Sequence, residues 1–270
     1  MTPCRLPTPR HRTAGPLPAD PGRWRWAAAS RIGTSHLKAG TRKQDAYAVK
    51  VPGPATLCVV VSDGAGSSSH GGEGASLVCR ILSTAICDWI ANHDGLPPDD
   101  QIYEWLDAVR DRLALVAEKR GLTKRQFAST LIALAVFGDE LLALQIGDSA
   151  LVARKAGQWE AICWPENGEF AATTYFVTDD PEPRLQITRK TAGVYDAFAA
   201  FSDGIDSIAL HHANQEPHAR FFDPMIKPVD QAAERGRLAS LSAALGRYLD
   251  GPAICDRTDD DKTLVLVSRV

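Results

Sequence analysis

The chain has 270 residues, with 33 acidic against 30 basic side chains and a formal charge of -3. That length fits one large domain or two small ones and is enough to bury an ordinary core. The near-even balance gives no basic surplus for nucleic acid and no acidic tail, and the longest apolar runs fall well short of the roughly 20 residues that span a bilayer.

The first residues carry arginines with no apolar stretch behind them, so no secretory signal is read and the chain is expected in the cytoplasm. Cys4, Cys58, Cys79, Cys87, Cys163 and Cys255 show no CxxC spacing and lie mostly in apolar company. They read as reduced core thiols rather than as disulfides or a zinc site.

In chain order, residues 1–21 are rich in Pro, Arg and Thr without hydrophobic periodicity and predict a disordered tail. A domain over 22–270 follows. Strands are predicted over 24–32 and 45–51, then, after a Pro-Gly-Pro turn, over 57–62. A Gly/Ser-rich loop, 65–74, precedes Leu77/Val78, Ile81/Leu82, Ala85/Ile86 and Trp89/Ile90. That four-residue recurrence predicts a helix with one broad apolar face. Ile102, Trp105/Leu106, Val109, Leu113 and Val116 predict a second, and Asp99-Asp100 suits its positive N-terminal end. Strands follow at 127–137, 141–146, 150–154 and 158–163, with Gly138-Asp139 as a hairpin signal.

Residues 164–183, with Pro, Gly, Asn and acids, read as an exposed loop. Strands at 185–190 and 195–202, an irregular Pro- and His-containing segment, a helix over about 231–249 and a last strand at 263–269 complete the chain. His211, His212 and His218 lack the spacing to hold one ion and read as solvent-exposed. Hairpin-linked strands with helices inserted in pairs argue against a doubly wound parallel sheet. The expected fold class is α+β: a four-layer α/β/β/α sandwich, two central antiparallel sheets flanked by helices.

Five aspartate motifs punctuate these elements: Gln44-Asp45-Ala46, Ser62-Asp63-Gly64-Ala65-Gly66, Gly147-Asp148-Ser149, Ser202-Asp203-Gly204 and Asp259-Asp260-Asp261-Lys262-Thr263. Most stand where an apolar run ends. Each alone reads more readily as a turn residue. Brought together, such strand ends form a pocket of negative charge that repels itself unless cations occupy it, and hard divalent ions prefer oxygen ligands.

The order of these motifs resembles the metal-dependent protein phosphatases, the type 2C serine/threonine class, over about residues 30 to 268. Ser35-His36, Gly40 and Gln44-Asp45-Ala46 are most like a divergent bacterial branch. The resemblance implies two Mg²⁺ or Mn²⁺ ions held by Asp45, Asp63, Asp203, Asp260 and the carbonyl of Gly64, with a weaker third ion at Asp148. It implies hydrolysis of phosphoserine or phosphothreonine by activated water, without a covalent enzyme intermediate. The implied partner is a phosphorylated protein, such as a kinase or its target; from charge balance and apolar run length, neither nucleic acid nor membrane is expected. The family's phosphate-holding arginine aligns with Gly40, so His36 becomes the candidate phosphate contact, with Lys38, Arg42 and Lys43 nearby. Asp206 comes one residue before the position of an acid that helps the third ion, where Ser207 stands. Thr130 matches a small-residue element and is read as packing. Two alternatives stay open: a non-catalytic phosphoprotein- or kinase-binding member, and a hydrolase of small phosphoesters.

Overall fold

A computed structural model describes residues 22–166 and 174–270; the predicted tail lies outside them. In chain order the elements begin β1 (Trp24–Arg31), α1 (Thr34–Ala39), β2 (Ala46–Lys50), β3 (Thr56–Ser62), α2 (Gly71–Asn92) and α3 (Asp99–Glu118). There follow β4 (Leu131–Phe137), β5 (Glu140–Ile146), β6 (Ala150–Lys155), β7 (Gln158–Cys163), β8 (Gln186–Thr191) and β9 (Ala197–Phe201). The last third holds α4 (Asp206–Ala209), β10 (Leu210–His211), β11 (Glu216–Pro217), α5 (Ala219–Gln231), β12 (Gly236–Arg237), α6 (Ala239–Leu249), α7 (Pro252–Cys255) and β13 (Lys262–Arg269).

Two sheets carry the fold. One has the order β12-β1-β13-β9-β6-β7 and the other β2-β3-β4-β5-β8. Every pairing in them is antiparallel except that of β12 with β1. The apolar runs are continuous because the central strands are buried on both faces, and the period of two sorts their side chains. Leu57, Val59 and Val61 of β3 meet Phe198, Ala200, Val265 and Val267 between the sheets, whereas Cys58 and Val60 face Leu82, Ile86 and Val109 of α2 and α3. On the far side Ala199, Phe201, Leu264 and Leu266 pack against Phe222, Ile226 and Leu245 of α5 and α6. The expected α/β/β/α layering is the observed one. α2 is long and apolar enough to cross a membrane by length and composition, but Val78, Leu82 and Ile86 are buried against the sheet and α3.

Three expectations are corrected. The helix predicted over 231–249 is α6 alone, and a separate α5 occupies part of the segment read as irregular. Pro224 and Pro228 lie inside α5, each lacking the N–H of a helical hydrogen bond, which argues against a helix from sequence. Phe221, Phe222, Ile226 and Val229 nevertheless form one buried face, and that packing prevails. The strand predicted from 127 begins at Leu131; Lys124–Phe127 is instead a 3₁₀ turn closed by a capping box between Thr123 and Gln126. The loop 164–183 is not simply exposed: Val177 and Thr178 are buried, and Trp164 and Tyr175 pack on core clusters. Residues 167–173 of that loop lie outside the described residues.

Candidate metal centre

Each aspartate is placed by the end of a strand. Asp63 follows β3, and Thr130, just before β4, locks it from two sides. The Asp63 N–H donates to Thr130 Oγ1 at 3.0 Å, and the Thr130 N–H donates to the Asp63 carbonyl at 2.8 Å. The Thr130 hydroxyl also lies 3.1 Å from Ser149 Oγ, which ties the Asp148 turn to the Asp63 strand. Thr130 is therefore a tie as well as a packing residue.

That turn leaves β5 for β6 and so crosses from one sheet to the other. Gly147 takes φ +93°, and a Cβ there would lie 2.6 Å from the Tyr175 carbonyl oxygen and 2.9 Å from Thr130 Cγ2, so only glycine fits. The buried Gln145 amide braces the same turn, donating to the carbonyls of Gly147, Ser149 and Trp164.

Asp203 opens a 3₁₀ turn after β9. A Cβ on the adjacent Gly204 would fall 1.8 Å from the Asp261 carbonyl oxygen, so the missing side chain lets this turn close on the start of β13. Asp45 precedes β2; its Oδ2 accepts from the hydroxyls of Ser202 and Thr263, each at 2.7 Å. Asp260 presents one oxygen to the Asp261 N–H at 2.7 Å.

Carboxylate oxygens of Asp63, Asp148 and Asp203 come within 4.8 Å of one another. These three, with Asp260, Gly64, Thr130 and Arg125, line a cleft of about 660 Å³, and Asp45, 4 % exposed, lies behind the lining, close enough for its charge to act on Asp63. Asp148, implied by the resemblance to serve a weaker third ion, thus stands with Asp63 and Asp203 in the group whose oxygens converge, with Asp45 and Asp260 nearby.

Burial raises the Asp63 carboxyl well above the ordinary range, and the charges of Asp45 and Asp203 add to the rise. Asp203 is pushed up to about 8, by burial first and then by Asp148 and Asp260. Burial also raises Asp45 and Asp148. Asp45 Oδ1, Asp148 Oδ1 and Asp203 Oδ1 are buried without a hydrogen-bond partner. Bare buried oxygens of this kind are unfavourable unless protonated or bridged by a cation. The all-oxygen donor set suits a hard divalent ion, so the residues fit the group implied by the sequence.

The remaining candidates take other places. His36 Nδ1 is 3.0 Å from Asp261 Oδ1, and His36 does not line the cleft. Lys43 donates to Ser30 Oγ at 2.7 Å and to the Asp45 carbonyl. Oriented to satisfy its neighbours, the Gln44 amide donates to the Gly64 carbonyl at 2.8 Å and to that of Ala65 at 3.1 Å. One lone pair of the Gly64 oxygen is left for another partner. His211 and His212 are exposed. The five described cysteines are free.

Sequence reasoning missed Asp261. It is 1 % exposed, and it accepts from the N–H groups of Gly33, Gln44 and Asp45 as well as facing His36. It pins the segment before β2 to the start of β13. No signal separates it from Asp259 and Asp260 in an unbroken acidic run, and Gln145 and Arg125 carried no signal either.

Comparison with known proteins places this arrangement in context. A family model described as Protein phosphatase 2C matches residues 32–250. Serine/threonine-protein phosphatase 3 of Escherichia coli K12 is 35 % identical over 247 residues, covering 90 % of this chain and 97 % of that protein. Among solved structures, PppA, a regulatory component of T6SS in Pseudomonas aeruginosa, superposes with a TM-score of 0.60 at 21 % identity, covering 92 % of this chain and 99 % of that one. The serine/threonine phosphatase Stp1 of Staphylococcus aureus gives 0.60 at 15 % identity, with 91 % and 94 % covered.

Proposed function

Since the chain belongs to the protein phosphatase 2C family, we propose that it hydrolyses phosphoserine and phosphothreonine in proteins at the carboxylate cleft. The observation that carries this reading is the convergence of Asp63, Asp148 and Asp203, with Asp45 and Asp260 beside them, around buried oxygens that lack partners. Asp63, Asp148 and Asp203 would hold one cation among them. Asp45, Asp260 and the Gly64 carbonyl supply more oxygen donors than one hydrated ion uses, which favours a pair of ions. Magnesium or manganese bound there supplies the Lewis acidity that makes water a nucleophile near neutral pH and neutralises phosphate oxygens.

The chain's own residues prepare that chemistry. The Ser202 and Thr263 hydroxyls hold Asp45 Oδ2, so the carboxylate cannot rotate and its other oxygen keeps a fixed aim. Thr130 sets the spacing between Asp63 and the Asp148 turn. With its carboxyl pushed up to about 8, Asp203 favours the protonated form at neutral pH while the site is metal-free, and it would have to give up that proton to hold a cation. A cleft of about 660 Å³ at the sandwich surface suits a phosphorylated loop of a partner protein, such as a kinase or its target. The free cysteines agree with a cytoplasmic setting.

The test is phosphate release from a phosphothreonine peptide. EDTA is expected to abolish it and Mn²⁺ to restore it. Release that survives exhaustive chelation overturns the metal role. Peptide binding without release at any Mn²⁺ concentration points to a non-catalytic member, and faster turnover of nucleotides than of peptides points to a small-phosphoester hydrolase.

A further inference from the structure

A phosphate dianion entering a cleft walled by Asp63, Asp148, Asp203 and Asp260 meets four carboxyl groups whose negative charge repels it. Bound cations offset part of that repulsion, but a fixed positive group on the wall is needed to draw the dianion in and orient it. The cations near the first motif are engaged or placed elsewhere. His36 faces Asp261, Lys43 is spent on Ser30 and the Asp45 carbonyl, and neither Lys38 nor Arg42 lines the cleft. Gly40 ends α1 with φ +66° and has nothing within 4 Å of where a Cβ would stand.

Among the described residues that line the cleft, Arg125 is the one cation. Its side chain is exposed and, among the described residues, forms neither an ion pair nor a hydrogen bond. The Lys124–Phe127 turn beneath it is firmly braced. Thr123 and Gln126 close the capping box, the Gln126 amide reaches Ser69 Oγ at 3.2 Å, and the Ser68 hydroxyl donates to the Arg125 carbonyl at 3.1 Å. The His70 N–H donates to the Gln126 carbonyl at 2.9 Å, and the Ala65 N–H donates to that of Ala128 at 2.9 Å. The turn is thereby stitched to the loop that follows Asp63 and Gly64. By contrast, the neighbouring Lys124 and Arg120 are occupied by Asp180 and Glu73.

Resting on the phosphatase reading, we infer that Arg125 is the substrate-binding cation that receives the phosphate group. An unpaired guanidinium on a rigid turn presents a fork of donors matched to phosphate oxygens and loses little freedom on binding.

The test uses the full chain loaded with Mn²⁺. It compares wild type, Arg125→Ala, Arg125→Lys and the control Lys124→Ala. Peptide kinetics are read alongside the binding of inorganic phosphate and of Mn²⁺ by calorimetry. Arg125→Ala is expected to raise KM and the phosphate dissociation constant about tenfold or more, as for a lost charge-assisted hydrogen bond. Mn²⁺ affinity should hold within about twofold, and Arg125→Lys should recover part of the loss. Lys124→Ala should leave phosphate binding unchanged. Phosphate binding by Arg125→Ala equal to wild type overturns the assignment, and so does a loss confined to kcat. If wild type binds phosphate through Arg125 yet hydrolyses no peptide, the phosphatase reading fails and the Arg125 assignment stands.

Discussion

Raising the pH of the metal-free protein from 5 to 7 is expected to weaken its fold. Asp203 has an ordinary value of 3.8 when exposed and about 8 in the folded chain. Between those values the folded state binds the extra proton, so stability is greatest at the acid end and declines as pH rises. A tenfold change in proton concentration is worth about 1.4 kcal/mol per titrating group, so two pH units remove about 3 kcal/mol through Asp203 alone. That is a large share of the 5–15 kcal/mol typical of a domain. Asp45, Asp63 and Asp148 are raised too and act in the same direction. Urea unfolding in EDTA at pH 5, 6 and 7 measures the slope, and Asp203→Asn should flatten it. Saturating Mn²⁺ should reverse it, because the cation competes with protons for the same oxygens. Metal-free stability that is flat or rising from pH 5 to 7, or an unaltered slope in Asp203→Asn, refutes the reasoning.

Two further outcomes are expected. Asp63→Asn should remove peptide hydrolysis while raising the melting temperature in EDTA, since it deletes one of three crowded carboxylates without changing volume; retained turnover, or a lower melting temperature, contradicts this. Thr130→Val keeps the shape but leaves the Asp63 N–H without its acceptor and cuts the link to Ser149. It should cost about 1–3 kcal/mol in urea unfolding and weaken Mn²⁺ binding by calorimetry; a variant matching wild type in both shows that the tie is not needed.

What was legible in the sequence follows from what leaves a periodic trace. Val59-Val60-Val61 running into Asp63, and Phe198 to Phe201 into Asp203, announce buried strands that end in a carboxylate. The ordered motifs pointed to their meeting. α5 was hidden because Pro224 and Pro228 argue locally against a helix, whereas the sheet it covers is assembled from residues far away in sequence. Gln145 sits in an apolar strand and reads as a stray polar residue until the three carbonyls around its amide are seen. Asp260 and Asp261 are adjacent and chemically identical; only the backbone decides that one faces the cleft and the other the interior. Arg125, exposed on a short turn, has the pattern of any solvated arginine.

The ends of two separate sheets supply the acids: Asp45 and Asp63 adjoin the β2–β3 pair, Asp203 and Asp260 adjoin β9 and β13, and Asp148 lies on the crossing between them. An ion seated among them would act as a rivet through two plates. If either plate slides, the rivet hole no longer lines up, so substitutions deep among Val59, Leu134, Phe198 and Val265, remote from any phosphate, are able to loosen the grip on metal.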